Sequence, residues 1–455
     1  MAQRIIIAAL ALLLVACWLL GTPAYALSLT EAFALAIHND PTLQSAVQEK
    51  LAGEEERTIG RAGLLPQVSA NYQNAPRNWQ NQKYQGADIF NQPTGEQSVN
   101  TQYRSSSLSV TLTQPLFDYA AWARYQAGVA QALLADERYR GKLQEMTTRL
   151  VEAYIEVAYR REAIALTQAQ VTTYAEQLAL NQRLSRLGEG TVTDVAETEA
   201  RYGIALTQRI EAQDALDVSQ NTLSNLIGVP VASIDPIAAQ PGTFSPLVLK
   251  YPTLEAWQRQ AKSNNPALRS AQQGINVARY EVERNRAGHL PRVALYASHS
   301  ENDSSSDNTV GQKYRTDSVG IQVSIPLYSG GGVSASTSQA AARYQQAKYE
   351  MAAQSDKILN DLQQQYRLCR NGEAKLKAYE LALQAADKQV VATRQSVLAG
   401  MRVNVDVLNA ELQRYTTQKE YAEAKYGYLK AWVALQSLAG TLNEKDIAQV
   451  ARYFH

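Results

Sequence analysis

Proline is missing from two long stretches of this 455-residue chain, Leu116 to Val229 and Leu327 to the C-terminus. Nothing there forces a helix to break, and both stretches are rich in Ala, Gln, Leu, Glu and Arg, the better helix formers. Cysteine is nearly absent, with only Cys17 and Cys369, which excludes a disulfide framework. Charge of one sign is lacking as well. The 44 basic and 43 acidic side chains leave a formal charge of +1, and the electrostatic case for nucleic acid disappears. A long apolar run occurs once, from Ile5 to Leu20, and no other stretch approaches the roughly 20 residues of a membrane-spanning helix. The four histidines, His38, His289, His299 and His455, show no metal-ligand spacing and read as solvated side chains. Gly330-Gly331-Gly332 lacks the Lys-Ser/Thr of a phosphate loop and reads as a strand turning into a helix. No nucleophile–base pair is evident. Neither an enzyme nor a cofactor nor a metal centre is expected.

The N-terminus, residues 1–26, reads as a secretory signal: Arg4, the apolar run, then Ala24-Tyr25-Ala26 as the cleavage site. A second reading takes Leu14-Val15-Ala16-Cys17 as a lipoprotein box with Cys17 acylated. The apolar core continues through Trp18-Leu19-Leu20 past that cysteine, which favours the first reading.

What the chain does have is a repeat. Arg61-Ala62-Gly63-Leu64-Leu65-Pro66-Gln67-Val68 returns as Arg286-Ala287-Gly288-His289-Leu290-Pro291-Arg292-Val293, and Thr113-Gln114-Pro115-Leu116-Phe117 as Ser324-Ile325-Pro326-Leu327-Tyr328. Gly188, Asp194-Val195 and Glu199 return as Gly400, Asp406-Val407 and Glu411. An offset of roughly 210–225 residues far exceeds the solenoid repeats of about 20–50, so a domain-sized unit is duplicated. The expected layout is a first repeat at 27–228, a linker at 229–250, a second repeat at 251–440 and a tail at 441–455.

Each repeat should hold a strand pair, 67–117 and 292–328, followed by a long helical hairpin, 119–227 and 331–439. The segments Ser107–Thr113 and Val319–Ile325 alternate apolar and polar residues, as half-buried strands do. Their partners begin after Pro66 and Pro291. Polar loops are expected between partners, from Gln73 to Arg104 and from His299 to Arg315. Aromatics near the strand ends, Tyr72, Phe117, Tyr119, Trp122, Tyr296 and Tyr328, suit an interfacial girdle. The helix from Tyr119 to Leu187 would run on the order of 100 Å. A seven-residue apolar register supports it, Leu143, Leu150, Val157, Ile164, Val171 and Leu178, and returns as Leu362, Cys369, Leu376, Leu383, Val390 and Val397. Cys369 is thereby a small core residue.

Four amphipathic strands cannot close a transmembrane barrel, which needs at least about eight, and open sheet edges are forbidden in lipid. Several copies pooling their strands would solve this, with the helices carrying the assembly out of the membrane.

The paired Asn39-Asp40-Pro41 and Asn264-Asn265-Pro266 helix starts, Leu-Pro-x-Val before the strands, Gly400-Met401-Arg402-Val403-Asn404-Val405-Asp406-Val407-Leu408 and Ala439-Gly440-Thr441-Leu442-Asn443-Glu444-Lys445-Asp446 together resemble the TolC-like outer-membrane factors of Gram-negative bacteria. The resemblance implies a mostly α fold with a small membrane β part. It further implies a homotrimer with a shared twelve-stranded barrel in outer-membrane lipid and a periplasmic α-helical tunnel. The implied partners are a periplasmic adaptor and an inner-membrane ABC transporter or other pump, and the implied activity is passive export. Overall similarity leans to type I protein secretion; drug efflux is the alternative, and a periplasmic coiled-coil adaptor the reading from another class. Adaptors carry a single hairpin, whereas this chain has two.

The resemblance also places a periplasmic gate at the hairpin tips, on Thr193 and Asp194 in the first hairpin and Arg402 and Asp406 in the second. Threefold symmetry would ring three Asp406 carboxylates around one opening, able to select cations or bind a metal ion. Asn409, lining the pore one turn on, replaces a second aspartate of close relatives, and Val397 replaces a latch tyrosine. Asp194 and Asp406 equally suit plain helix caps.

Overall fold

The computed structural model describes residues 27–86, 89–90, 92, 95–231, 244–307 and 310–454. The leader with Cys17 and most of the expected linker lie outside them. Fifteen elements follow one another, of which the short 3₁₀ turns at Ala287–His289 and Arg452–Phe454 need no label. Helices α1 (Leu29–Asn39) and α2 (Pro41–Ala62) precede strands β1 (Gln67–Tyr84) and β2 (Gln97–Phe117). Helices α3 (Tyr119–Leu187) and α4 (Val192–Ile227) form the first hairpin. Then come α5 (Leu254–Asn264), α6 (Pro266–Arg286), β3 (Arg292–Asp307), β4 (Val310–Ser324), the second hairpin of α7 (Gly332–Leu398) and α8 (Asn404–Leu438), and α9 (Glu444–Ala451). No helix among the described residues is long and apolar enough to cross a membrane.

The chain divides into two compact units, and each draws on both halves of the sequence. Taking the described residues only, one lies within the spans Met1–Gln48, Tyr139–Leu268 and Gln354–His455, and the other within Glu49–Arg138 and Arg269–Ala353.

The first unit holds a continuous apolar core. Leu29 and Ala36 of α1, Leu150, Tyr154 and Val157 of α3, Leu223 of α4, Trp257 of α5, Leu362 of α7, Trp432 and Leu435 of α8 and Val450 of α9 are all buried in it. The seven-residue register points inward: Leu150, Val157, Val171, Leu362, Cys369, Leu376, Leu383 and Val390 are buried, as a coiled-coil seam requires. Within this core Lys425 is fully enclosed, its Nζ 3.0 Å from Glu162 Oε1, while Tyr426 Oη donates to Glu162 Oε2 at 2.8 Å. Short helices are tied to the hairpin ends: Asn39 Nδ2 donates to the Ile227 carbonyl at 2.6 Å and Asn265 Nδ2 to the Leu438 carbonyl at 2.9 Å. Those carbonyls would otherwise be orphans at helix C-termini.

The second unit carries the sheet, antiparallel in the order β1-β2-β3-β4. Its helices approach at glycines: a Cβ on Gly128 of α3 would fall 2.3 Å from the Glu56 carbonyl oxygen of α2, so only glycine permits the contact. Three expectations fail here. The polar segments read as loops continue the strands, since β1 runs to Tyr84, β2 starts at Gln97, β3 runs to Asp307 and β4 starts at Val310. A ladder of backbone hydrogen bonds needs no apolar side chains once both faces are wet. The second strand pair also stops at Ser324, short of Tyr328. Of the aromatics, Tyr72 shares a face with Val68 and Ala70, but Tyr296 lies on the opposite, polar face. A Cβ at Gly320 would meet its ring at 2.9 Å, so it leaves the girdle. Tyr119 stacks on Trp122 with centroids 5.2 Å apart, and Trp122 meets Tyr280 edge-on at 6.1 Å.

Candidate functional site

The hairpin tips are built alike and finished differently. Gly188 (φ 75°) and Gly400 (φ 72°) hold the left-handed conformation that ends α3 and α7. At the first tip Thr191 caps α4 reciprocally: Asp194 N donates to Thr191 Oγ1 at 3.0 Å, and Thr191 N and Oγ1 donate to Asp194 Oδ2 at 3.2 and 2.5 Å. At the second tip Val403 stands where Thr191 stood and offers no acceptor. Only half of the exchange survives, from Val403 N to Asp406 Oδ2 at 3.4 Å. Within the protomer, then, both aspartates act as helix caps. Thr193 and Arg402 are exposed, and Arg402 has no ion-pair partner among the described residues. Asn409 is exposed, and its Oδ1 accepts from Arg201 Nη2 of the first hairpin at 3.1 Å. The five residues expected at the gate therefore do not form one cluster inside a single chain.

A different set does join the hairpins just behind the tips. Thr198 is wholly buried. Its Oγ1 donates to the Asp194 carbonyl at 2.7 Å and accepts from Asn181 Nδ2 at 2.8 Å and from Asn404 Nδ2 at 3.3 Å. Gln177 Nε2 donates to Asn404 Oδ1 at 2.9 Å. Buried amides in such a chain must stay paired, because an orphaned one costs about 1–3 kcal/mol. One layer further, Thr173 and Tyr415 share a 2.8 Å hydrogen bond, and burial pushes the Tyr415 phenol above its ordinary value. Tyr174, Val171, Ala205 and Leu408 pack a small apolar plug between the hairpins. Behind it the second hairpin braces itself, with Glu411 buried between Arg394 and Arg414, and Arg414 Nε 2.7 Å from Asp387 Oδ1.

Sequence reasoning missed Asn181, Thr198 and Asn404 because charge drew attention to their neighbours. A signal existed: Tyr174 and Asn181 follow Val171 and Leu178 by three residues and occupy the companion row of the heptad seam, where a polar residue is a marker of register. Cys369 is buried, and burial alone pushes its thiol up to about 12. His299 is not merely solvated, since its Nδ1 sits 2.6 Å from Asp317 Oδ1 across β3 and β4. No group of side chains suited to a metal ion exists among the described residues.

Comparison with known proteins agrees with this architecture. The model of the family described as outer membrane efflux protein matches residues 33–229 and 257–441. The proteases secretion protein PrtF of Dickeya chrysanthemi is 43% identical over 445 residues, 97% of this chain and 94% of its own length. The alkaline protease secretion protein AprF of Pseudomonas aeruginosa is 42% identical over 439 residues, 96% of this chain and 89% of its own. Among solved structures, the outer membrane protein VceC of Vibrio cholerae superposes with a TM-score of 0.75 at 16% identity, covering 90% of this chain and 96% of that one. The open-state MtrE channel of Neisseria gonorrhoeae gives 0.72 at 16%, covering 92% and 91%. The structural likeness speaks for the fold, and the two-part family match spans both repeats. The chain belongs to the outer membrane efflux protein family, whose members are outer-membrane channels and not enzymes.

Proposed function

We propose that this protein is the outer-membrane exit channel of a type I protein secretion system. The observation that carries it is near-full-length similarity to two protease secretion proteins, above 40% identity and covering 96–97% of this chain and 89–94% of theirs. The assembly is a homotrimer that pools its four-stranded sheets into one barrel and takes cargo from a periplasmic adaptor and an inner-membrane ABC transporter. Sheet edges β1 and β4 support this, because each leaves backbone groups that only another chain can pair in lipid. Transport is passive.

The periplasmic end closes at the hairpin tips. Arg402, exposed and without an ion-pair partner among the described residues, is available to a carboxylate of a neighbouring protomer, with Asp194 of the first tip as that carboxylate. Such a charge-assisted contact is strongest where partly shielded from water. Asp406 of three protomers rings the opening, with Asn409 lining the pore just behind and Thr193 on the facing tip. The second tip, with half a cap, is the easier one to move, since a missing N-cap costs about 1 kcal/mol.

The test is replacement in a secreting strain. With a protease, its ABC transporter and adaptor supplied, a strain lacking its own outer-membrane component should release active protease when this chain is expressed. Protease trapped inside, with resistance to small toxic compounds restored, would assign the chain to drug efflux instead.

A further inference from the structure

On one face of the sheet, the change from apolar to polar side chains lies lower on β3 and β4 than on β1 and β2. On β1 it falls between Tyr72 and Asn74, and on β2 between Leu108 and Ser106. On β3 it falls between Ala297 and His299, and on β4 between Val319 and Asp317. The register aligns Tyr72, Leu108, Glu301 and Arg315 in one row, and Val68, Leu112, Ala297 and Val319 in another. The border is thus level across β1 and β2, drops four residues, about 13 Å, between β2 and β3, and is level again across β3 and β4, an average slope of about 13 Å over three strand spacings of about 14 Å. That slope corresponds to roughly 40°, the tilt of strands in a transmembrane barrel. With the strands tilted by that average the border lies close to one level, so it marks the outer limit of the hydrocarbon. Below it Val319, Ile321, Val323, Ile325 and Leu327 of β4 and the segment after it alternate outward, all more than half exposed.

Above the border β1 and β2 continue as a ribbon, and its outward face is distinctive. Trp79 pairs with Gln102 in register, which places the indole on the face of Leu108, and the ring is 70% exposed. The Arg77 guanidinium lies 5.9 Å from the Trp79 centroid. Arg104 stands two residues from Gln102 on the same face, and its side chain has no ion-pair partner among the described residues. By contrast the two cations of β4 above the border are neutralised at home: Arg315 pairs with Glu301, and Lys313 sits 3.5 Å from Asp303.

Arg104 lies four residues and Trp79 about six beyond the border, so roughly 10–15 Å above the hydrocarbon after allowing for tilt. The headgroup layer of an ordinary phospholipid leaflet is only about 5–8 Å deep. The group facing this patch must stand taller, carry negative charge for two guanidinium groups and offer a flat apolar surface to an indole. We propose that Arg77, Trp79 and Arg104 bind the phosphorylated oligosaccharide of an outer-leaflet glycolipid, with phosphate between the arginines and a sugar ring against Trp79. The surface is continuous with the lipid-facing band, so the glycolipid that covers the band also reaches the patch. This holds whatever cargo the channel passes.

The full-length protein, purified in detergent, is titrated with three lipids: lipopolysaccharide with a phosphorylated core oligosaccharide, lipopolysaccharide truncated to its lipid anchor, and phosphatidylglycerol. Retention is read by native mass spectrometry. The complete form should be held at least about tenfold more tightly than the other two, and Arg77→Ser with Arg104→Ser should erase that difference. Lysine at both positions should restore part of it. Equal retention of complete and truncated forms, or no effect of the double substitution, overturns the proposal. Should the double variant fail to assemble, the wild type decides alone. Free phosphorylated core oligosaccharide should change tryptophan fluorescence in the wild type and not in Trp79→Phe, and no change in the wild type overturns the proposal equally.

Discussion

Gln177 of the first hairpin donates to Asn404 of the second across 2.9 Å, and Asn404 in turn donates to the buried Thr198 at 3.3 Å. This link joins the second tip, which has only half a helix cap, to the fully capped first one. Parting the hairpins there strands several buried polar groups at once.

Asn404→Val copies the residue at the matching point of the first repeat, Val192. It removes both links and should cost about 1–3 kcal/mol of the joined arrangement. In planar bilayers the variant should spend more time at high conductance than the wild type. An unaltered distribution of conductance levels would show that the network is only structural.

Lys425 and Glu162 form an enclosed ion pair. Lys425→Met leaves a buried carboxylate and should destabilise the helical part by about 3–5 kcal/mol, whereas adding Glu162→Leu should recover most of the loss. Chemical unfolding followed by circular dichroism at 222 nm measures both. A harmless single substitution would contradict the pairing.

Cys369 should resist thiol reagents at pH 8 until the protein unfolds, because burial holds its pKa at about 12. The native state binds this proton more tightly than the unfolded one. The stability so gained is complete below the ordinary thiol value of 9.0 and is lost as pH climbs toward about 12. Burial raises the phenols of Tyr174, Tyr415 and Tyr428 too, which adds alkaline sensitivity in the same direction. Rapid native labelling at pH 8 would refute the burial.

Asp406→Asn keeps a side chain able to accept from Val403 N and removes the charge. Cation preference, read from the reversal potential under a salt gradient, should fall. An unchanged potential would place the selective ring elsewhere.

Much of this was legible because the signals are long. Leu150, Val157, Leu362 and Cys369 lie on one seven-residue register, and a period sustained over many turns leaves little choice but paired helices. The strand cores around Val110 and Ile321 were legible by alternation. Their extensions, such as Asn78–Tyr84, were not, because solvent on both faces erases the pattern while the backbone ladder continues. At the tips the sequence marks charge, so Arg402 and Asp406 stand out. Thr198 and Asn404 gain meaning only when the two hairpins are laid side by side, a relation no local spacing encodes.

A channel held shut at the tips of its hairpins should open more widely when a tip cation is removed. Wild-type protein and Arg402→Ser are reconstituted in planar bilayers and their single-channel conductance recorded under identical salt. The account predicts small discrete steps from the wild type and clearly larger steps from the variant. Absence of discrete steps from both, or steps of equal size, would contradict it.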